Sequence, residues 1–302
     1  MTSPFQFFKT HDNLSIRYGV WPCRPGKKSG SIVLLGGRRE FLEKYFETIV
    51  ELNQRRFDVY GLDWRGQGLS TRLLPNQHKG YVQSYEDYIN DLSLFVINVI
   101  QPRAVAPISI LAHSMGGHIA LRFLHDHPGL VHRVILVAPM IDILTHSFPR
   151  WLVKIFTRLA VATGLATAYV VGSRDYNAAD HNFNGNRLTS DPERFMDEKK
   201  AIAANPELAL GDVTYGWFRA TLTSIDILNQ PGYTDSIETP IQIISAGSDG
   251  VVSIEAQKAL CDKLPNCRMK IIPGARHEIL KETDSIRSAF WDVFDNFIKA
   301  SR

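Results

Sequence analysis

The chain has 302 residues, of which 44% are hydrophobic and 22% charged, and its net charge is +3. This fits one α/β domain with an insertion and a substantial core. The excess of basic residues is small and dispersed, which excludes an electrostatic tail and gives no reason to expect a nucleic-acid partner.

The N-terminal stretch MTSPFQFFKTHDNLS lacks the basic start and long apolar core of a secretory signal, so none is expected. FQFFKT and SIRYGVW read as two strands joined by HDNL. SIVLL, residues 31–35, is a short apolar run ending at Gly36-Gly37, the pattern of a buried parallel strand. EFLEKYFETIVELNQRR then sets Phe41, Leu42, Tyr45, Phe46, Ile49, Val50 and Leu52 at helical spacing. FDVYGLD predicts a strand, residues 85–100 a helix, ISILA a strand, GHIALRFLHDH a helix and VILVA a strand. The alternation predicts a mostly parallel central sheet flanked by helices on both faces.

Beyond Pro139 the alternation stops, and the chain reads as helices and polar loops to about Asp226. It resumes with IQIISAG, a helix over 253–264, MKIIPGA and a helix from Asp284. The expected organisation is an α/β core built from residues 1–139 and 227–302, with residues 140–226 inserted as a helical cap after the sixth strand. The apolar segment 148–172 is interrupted by Lys154 and Arg158, and its uncharged part is shorter than the ~20 residues that span a bilayer. On a helix, Arg150, Lys154 and Arg158 share one face beside an apolar stripe of Trp151, Ile155, Leu159 and Ala162. Two readings stay open: a helix lying on an anionic membrane surface, or a cap helix whose stripe covers the active site while its charges face water. Cys23, Cys261 and Cys267 match no zinc spacing and are expected to be reduced thiols of a cytoplasmic protein.

The stretch ILAHSMGGHIA, 110–120, puts Ser114 between an apolar run and two glycines. A nucleophilic serine sits on such a strained strand-to-helix turn, which needs small neighbours and directs Oγ out of the sheet. The plainer alternative is a tight connection with a serine chosen for polarity. Ala112 stands where the first glycine of G-x-S-x-G is usual. A serine needs a base and the base an orienting acid. His277 follows MKIIP, and Asp249 lies two residues beyond the glycine that ends IQIISAG, so both belong with Ser114 at the C-terminal rim of the sheet. Asp226, Asp235 and Asp284 follow no strand directly. The backbone N–H groups of Met115 and, from GGRRE, of Arg38 are the candidate oxyanion donors; the alternative for GGRRE is a strand-ending turn with a solvated arginine pair.

His113, His118, His125 and His127 are separated by five, seven and two residues, which brings no three of them to one helix face. They read as packed or solvated, and no metal or cofactor is expected. DWRGQGLS, 63–70, lacks the spacing of a phosphate loop and reads as a structural loop beside the rim.

AHSMGG, DWRGQGLS, the APM after the sixth strand and the Asp249/His277 spacing together resemble the α/β-hydrolase superfamily. GGRREFLEKY, GYVQSYEDYINDL, PELALGDVTYGWFRA and GARHEILKETDSIR are similar to the bacterial lysophospholipase and monoacylglycerol-lipase group. The resemblance implies Ser114 as nucleophile, Asp249 as acid and His277 as base, with the Arg38 and Met115 amides forming the oxyanion hole. It further implies hydrolysis of a lipid-like carboxylic ester through an acyl-enzyme. Many relatives have His-Gly where this chain has Gly36-Gly37, and Glu40 matches a family position that either anchors the loop or touches substrate. Two rivals of the same fold stay open, a general carboxylesterase and a peptidase that binds a free amine through cap acids such as Asp180, Asp191 and Glu193. A non-catalytic hydrolase-like receptor is disfavoured by the complete Ser/Asp/His set.

Overall fold

The computed structural model describes residues 4–143 and 149–300. Phe148, the start of the apolar segment, lies outside the described residues, as do residues 144–147 of the expected cap. Eight strands form one sheet in the order β1-β2-β4-β3-β5-β6-β7-β8. β1 (Phe5–Lys9) and β2 (Ser15–Trp21) form the hairpin, and β2 runs antiparallel to β4 (Phe57–Leu62). From β4 onward every pairing is parallel, through β3 (Gly30–Leu35), β5 (Ile108–His113), β6 (Arg133–Val137), β7 (Ile241–Ala246) and β8 (Cys267–Ile272).

Successive residues of a strand point to opposite faces, and the apolar runs exploit both. Val33, Leu35, Ile110, Ala112, Val134 and Leu136 belong to one core layer. Their alternates Ile32, Leu34, Leu111, Ile135 and Val137 belong to the other. α2 (Tyr85–Leu94) and α3 (Met115–Asp126) cover the first layer. α1 (Phe46–Gln54) and α8 (Asp284–Lys299) cover the second, where Phe290, Phe294 and Phe297 fill the space under β7 and β8. At roughly 1.5–3 kcal/mol for each large side chain removed from water, these two layers hold the strand ends in fixed register. That register aligns Leu35, Ala112 and Leu136 across the sheet and Ala246 with Ile272, so the loops that follow open onto one rim.

Among the described residues, helices without named strands occupy the chain between β6 and β7. They are α4 (Arg150–Ala162), α5 (Pro192–Ala204) and α6 (Tyr215–Leu228). α6 is continuous past Asp226 and puts Trp217, Ala220 and Leu228 into the first core layer. α4 turns Trp151 and Phe156 outward, 64% and 62% exposed, with Ile155 and Leu159 beside them. The stripe therefore does not cover the active site. Arg150 and Lys154 do not face water alone, because Arg150 pairs with Asp142 and both pair with Asp226.

The expectation of three reduced thiols is overturned. Cys261 closes α7 (Ile254–Cys261), the chain turns at once into β8, and Cys261 and Cys267 form a disulfide across that turn. Cys23 is a free, buried thiol. Spacing alone concealed the pair, because a separation of six residues is brought within bonding reach only by the helix-to-strand reversal.

Candidate active site

Ser114 connects β5 to α3 with φ 51° and ψ −115°, a conformation that costs an L-residue roughly 1–3 kcal/mol and persists only when neighbours enforce it. Here they do. Its amide donates to the Val137 carbonyl at 3.0 Å, and its carbonyl accepts from the amides of Gly117, His118 and Met140. A Cβ at Gly116 would lie 2.6 Å from the Gly36 carbonyl oxygen and 2.8 Å from that of Leu35. Glycine is therefore required for α3 to begin so close to β3. Ala112 is fully buried in β5, and the turn keeps its form with alanine there.

The rim brings the three expected side chains together. His277 Nε2 lies 3.0 Å from Ser114 Oγ, and His277 Nδ1 lies 2.8 Å from Asp249 Oδ2. The second oxygen of Asp249 accepts the amides of Val251 and Val252 at 2.8 and 3.0 Å. Burial pushes the Asp249 carboxyl up, but the His277 hydrogen bond, its charge and the two amides outweigh burial and hold it below the ordinary range. Both serine and histidine are buried.

Arg38, in the turn after β3, lines the same cavity as Ser114, and Met115 follows Ser114 at the start of α3. Glu40 accepts the Gly37 amide, and Gln67 Oε1 accepts the Arg39 amide at 2.6 Å. The Arg38 amide between them donates to no acceptor among the described residues, and neither does that of Met115 at the first turn of α3. Free N–H groups at a helix start attract negative charge. The turn is held by Arg39 in the left-handed region, with φ 66°.

A cavity of about 220 Å³ opens over Ser114 and His277. An apolar lining would suit a hydrocarbon tail, but only Leu188, Phe195 and Val251 supply large apolar side chains. Most of the rest is charged. Lys44, buried, lies 2.7 Å from Glu278, 3.0 Å from Glu198 of α5 and 3.3 Å from Glu40. Burial opposes its charge, and these three carboxylates overcome burial and raise its pKa well above the ordinary value. Arg38 has no carboxylate within ion-pair distance among the described residues. It donates to the Gly211 carbonyl at 3.1 Å and lies against Trp217. Burial and the neighbouring Arg39 push its pKa down to about 10. Lys199 donates to the His181 carbonyl, and His181 contacts Arg39 at 2.9 Å.

The remaining candidates separate from this rim. Asp226 serves Arg150 and Lys154, Asp284 serves Arg194, and Asp235 has no part in the cavity. Asp180, Asp191 and Glu193, from the segment between β6 and β7, do not line it either. His118 donates through Nδ1 to the Met140 carbonyl and accepts the Ser224 hydroxyl at 2.7 Å, while His125 stacks on Tyr233. The DWRGQGLS loop is held by Asp63, which pairs with Arg17 and accepts the amides of Leu42 and Leu69. Sequence reasoning missed the Lys44 cluster. The Glu40/Lys44 spacing of four and the adjacency of Glu278 to His277 were visible hints; nothing local marks Glu198, which arrives from α5.

A family described as serine aminopeptidase, S33 (Hydrolase_4) matches residues 26–284 of this chain. The chain belongs to this family. It is similar to lysophospholipase L2 of Escherichia coli K12, with 32% identity over 265 residues, 85% of this chain and 76% of that protein. The probable lysophospholipase L2 of Haemophilus influenzae is 29% identical over 297 residues, 98% of this chain and 92% of that one. Among solved structures, a soluble variant of monoglyceride lipase from Saccharomyces cerevisiae superposes with a TM-score of 0.77 at 19% identity, covering 100% of this chain and 97% of that one. A thermostable carboxyl esterase from Bacillus coagulans gives 0.76 at 18% identity and 99% coverage of both. These two share the fold. The family member described here is thus a hydrolase with the α/β-hydrolase fold.

Proposed function

We propose that this hydrolase cleaves the acyl ester of a lysophospholipid through an acyl-enzyme on Ser114. The observation that carries the reading is the Ser114–His277–Asp249 hydrogen-bond chain at 3.0 and 2.8 Å. His277 takes the Ser114 proton as Oγ attacks the ester carbonyl. The Arg38 and Met115 amides receive the oxyanion, and the glycerol oxygen leaves with the proton from His277. Water repeats the sequence on the acyl-enzyme. Asp249 fixes the histidine tautomer and stabilises its charged form. No step calls for a metal or cofactor.

The curated relatives named lysophospholipase L2 support the substrate class, and the cavity supports a phosphate over a neutral glycerol. Arg38 and Lys199 carry charge without a carboxylate partner among the described residues, and a guanidinium beside the reacting ester suits a phosphate. An aminopeptidase would need a free carboxylate for the substrate ammonium. Glu40, Glu198 and Glu278 are all engaged by Lys44, which weighs against that reading. We assign residues 1–139 and 227–302 to the catalytic core and 140–226 to a cap. The outward aromatic face of α4 supports peripheral contact with a membrane; no helix among the described residues is long and apolar enough to cross one.

The test is fatty-acid release from a lysophospholipid, the monoacylglycerol of the same chain and a short-chain ester, by the wild type and by Ser114→Ala. The lysophospholipid should be preferred, and the variant should lose roughly 10⁴-fold or more in kcat. Turnover of the short ester alone would leave a general carboxylesterase; retained activity in the variant would remove Ser114 as nucleophile.

A further inference from the structure

His113 ends β5 directly before Ser114 and is buried. Its Nδ1 lies 3.0 Å from Glu40 Oε2, and its Nε2 lies 3.2 Å from the backbone carbonyl oxygen of His277. A carbonyl oxygen only accepts, so Nε2 carries a proton. The Glu40 carboxylate is an acceptor too. It takes the Gly37 amide and the Tyr45 hydroxyl, and Lys44 stands 3.3 Å away. The oxygen that faces His113 is the one that already accepts these two donors, and with the Lys44 ammonium beside the same carboxylate it has no proton to give. Nδ1 therefore donates as well. A neutral imidazole has one N–H; two require the imidazolium.

We propose that His113 is a buried imidazolium at neutral pH and a positioning residue, whose two N–H groups tie the His277 loop to the oxyanion loop through Glu40. One oxygen of Glu40 receives both His113 and the Gly37 amide, one residue before Arg38. The same contact explains Gly37, whose Cβ would sit 2.9 Å from that oxygen and 3.1 Å from His113 Nδ1. The groups facing His113 come from two loops. Glu40, Lys44 and Tyr45 follow β3, while His277, its ring centroid 4.9 Å away, and Glu278 follow β8. Burial and Lys44 oppose the charge; Glu40 and Glu278 favour it and prevail, so the pKa is raised. Read by sequence alone, His113 is one packed or solvated histidine among four. Its protonation follows from what surrounds it.

The catalytic consequence rests on His277 being the base, but the protonation state can be read without activity. In perdeuterated protein with ¹⁵N-histidine, long-range ¹H–¹⁵N correlation resolves each ring nitrogen. The His113 signals are assigned by their loss in His113→Gln, or by their shift in Glu40→Gln should the first variant not fold. Both nitrogens should be protonated at pH 7 in the wild type, and one should lose its proton in Glu40→Gln. His113→Gln should lower kcat at pH 7 by about 10- to 100-fold, with KM changed by less than about twofold, because the base is displaced and not removed. The wild type should also lose kcat on the alkaline side as His113 deprotonates, a limb that His113→Gln lacks. A bare ring nitrogen in the wild type at pH 7, or the same alkaline limb in both proteins, overturns the proposal. Protonated nitrogens together with full activity of Ser114→Ala would instead overturn the catalytic assignment and leave the imidazolium standing.

Discussion

Asp249 is held as a carboxylate by three donors that converge on it after β7, although its side chain is buried. In the proposed mechanism its charge, not its size, is what His277 needs. Asp249→Asn keeps the volume but presents an amide to Nδ1, which reverses the tautomer and turns the wrong nitrogen to Ser114. The expected outcome is a loss of about 10⁴ in kcat with the fold retained, checked by ester hydrolysis beside thermal unfolding. A variant within tenfold of wild type would remove Asp249 from the acid role. At this scale the candidate site was legible where a polar residue closes a buried strand, as Ser114 does, or sits in the short loop just after a strand, as Asp249 and His277 do. Lys44 was illegible for a physical reason. Its neighbours are charged and apolar alike, and only the arrival of Glu198 and Glu278 from distant segments makes a buried ammonium tolerable.

Elements carry a different kind of information. The 3.6-residue period of 150–162 predicts that Arg150 and Lys154 share a face beside Trp151 and Leu159, but not what that face meets. In the structure α4 packs on α6 while its aromatic side points away from the protein, with Phe156 and Leu159 beside Trp151. An exposed apolar face of this kind marks an interaction surface, and two of the three cations beside it, Arg150 and Lys154, are engaged by Asp142 and Asp226. If it rests on lipid, the double variant Trp151→Ser/Phe156→Ser should bind anionic phospholipid vesicles at least about tenfold more weakly, since each aromatic forfeits roughly 1.5–3 kcal/mol of burial. Co-sedimentation would measure this. Activity on a soluble short-chain ester should hold, because neither residue lines the cavity. Equal vesicle binding by both proteins would leave the face without a membrane role. The disulfide belongs to the same scale, since it depends on where α7 stops and β8 starts and not on the composition of either.

For the whole molecule, the alternation of strand and helix made the doubly covered sheet readable. Each buried strand is apolar on both faces and each covering helix on one, and the pattern breaks after β6, where α4, α5 and α6 precede β7. What alternation cannot reveal is that two loops distant in sequence, after β3 and after β8, are joined through His113 at the end of β5, which pairs with Glu40 on one side and meets the His277 carbonyl on the other. That joint gives stability a defined dependence on pH. His113 has an ordinary value of 6.5 and is raised in the fold. Below 6.5 it is protonated in folded and unfolded chains alike, and its full contribution is present. Above 6.5 the unfolded chain releases the proton first, so the contribution falls by up to ~1.4 kcal/mol per pH unit until the folded value is passed. Glu40 behaves in the opposite sense. Its ordinary value is 4.5 and its folded value is well below that, so its share is complete above 4.5 and is lost as the pH falls towards the folded value. The stability of the wild type relative to His113→Gln should therefore be greatest between about pH 4.5 and 6.5 and decline on both sides. Urea unfolding of both proteins across this range measures the difference directly, with the other titrating groups largely cancelling. A difference that is flat with pH, or that grows above 6.5, would mean that no charged His113–Glu40 pair forms on folding.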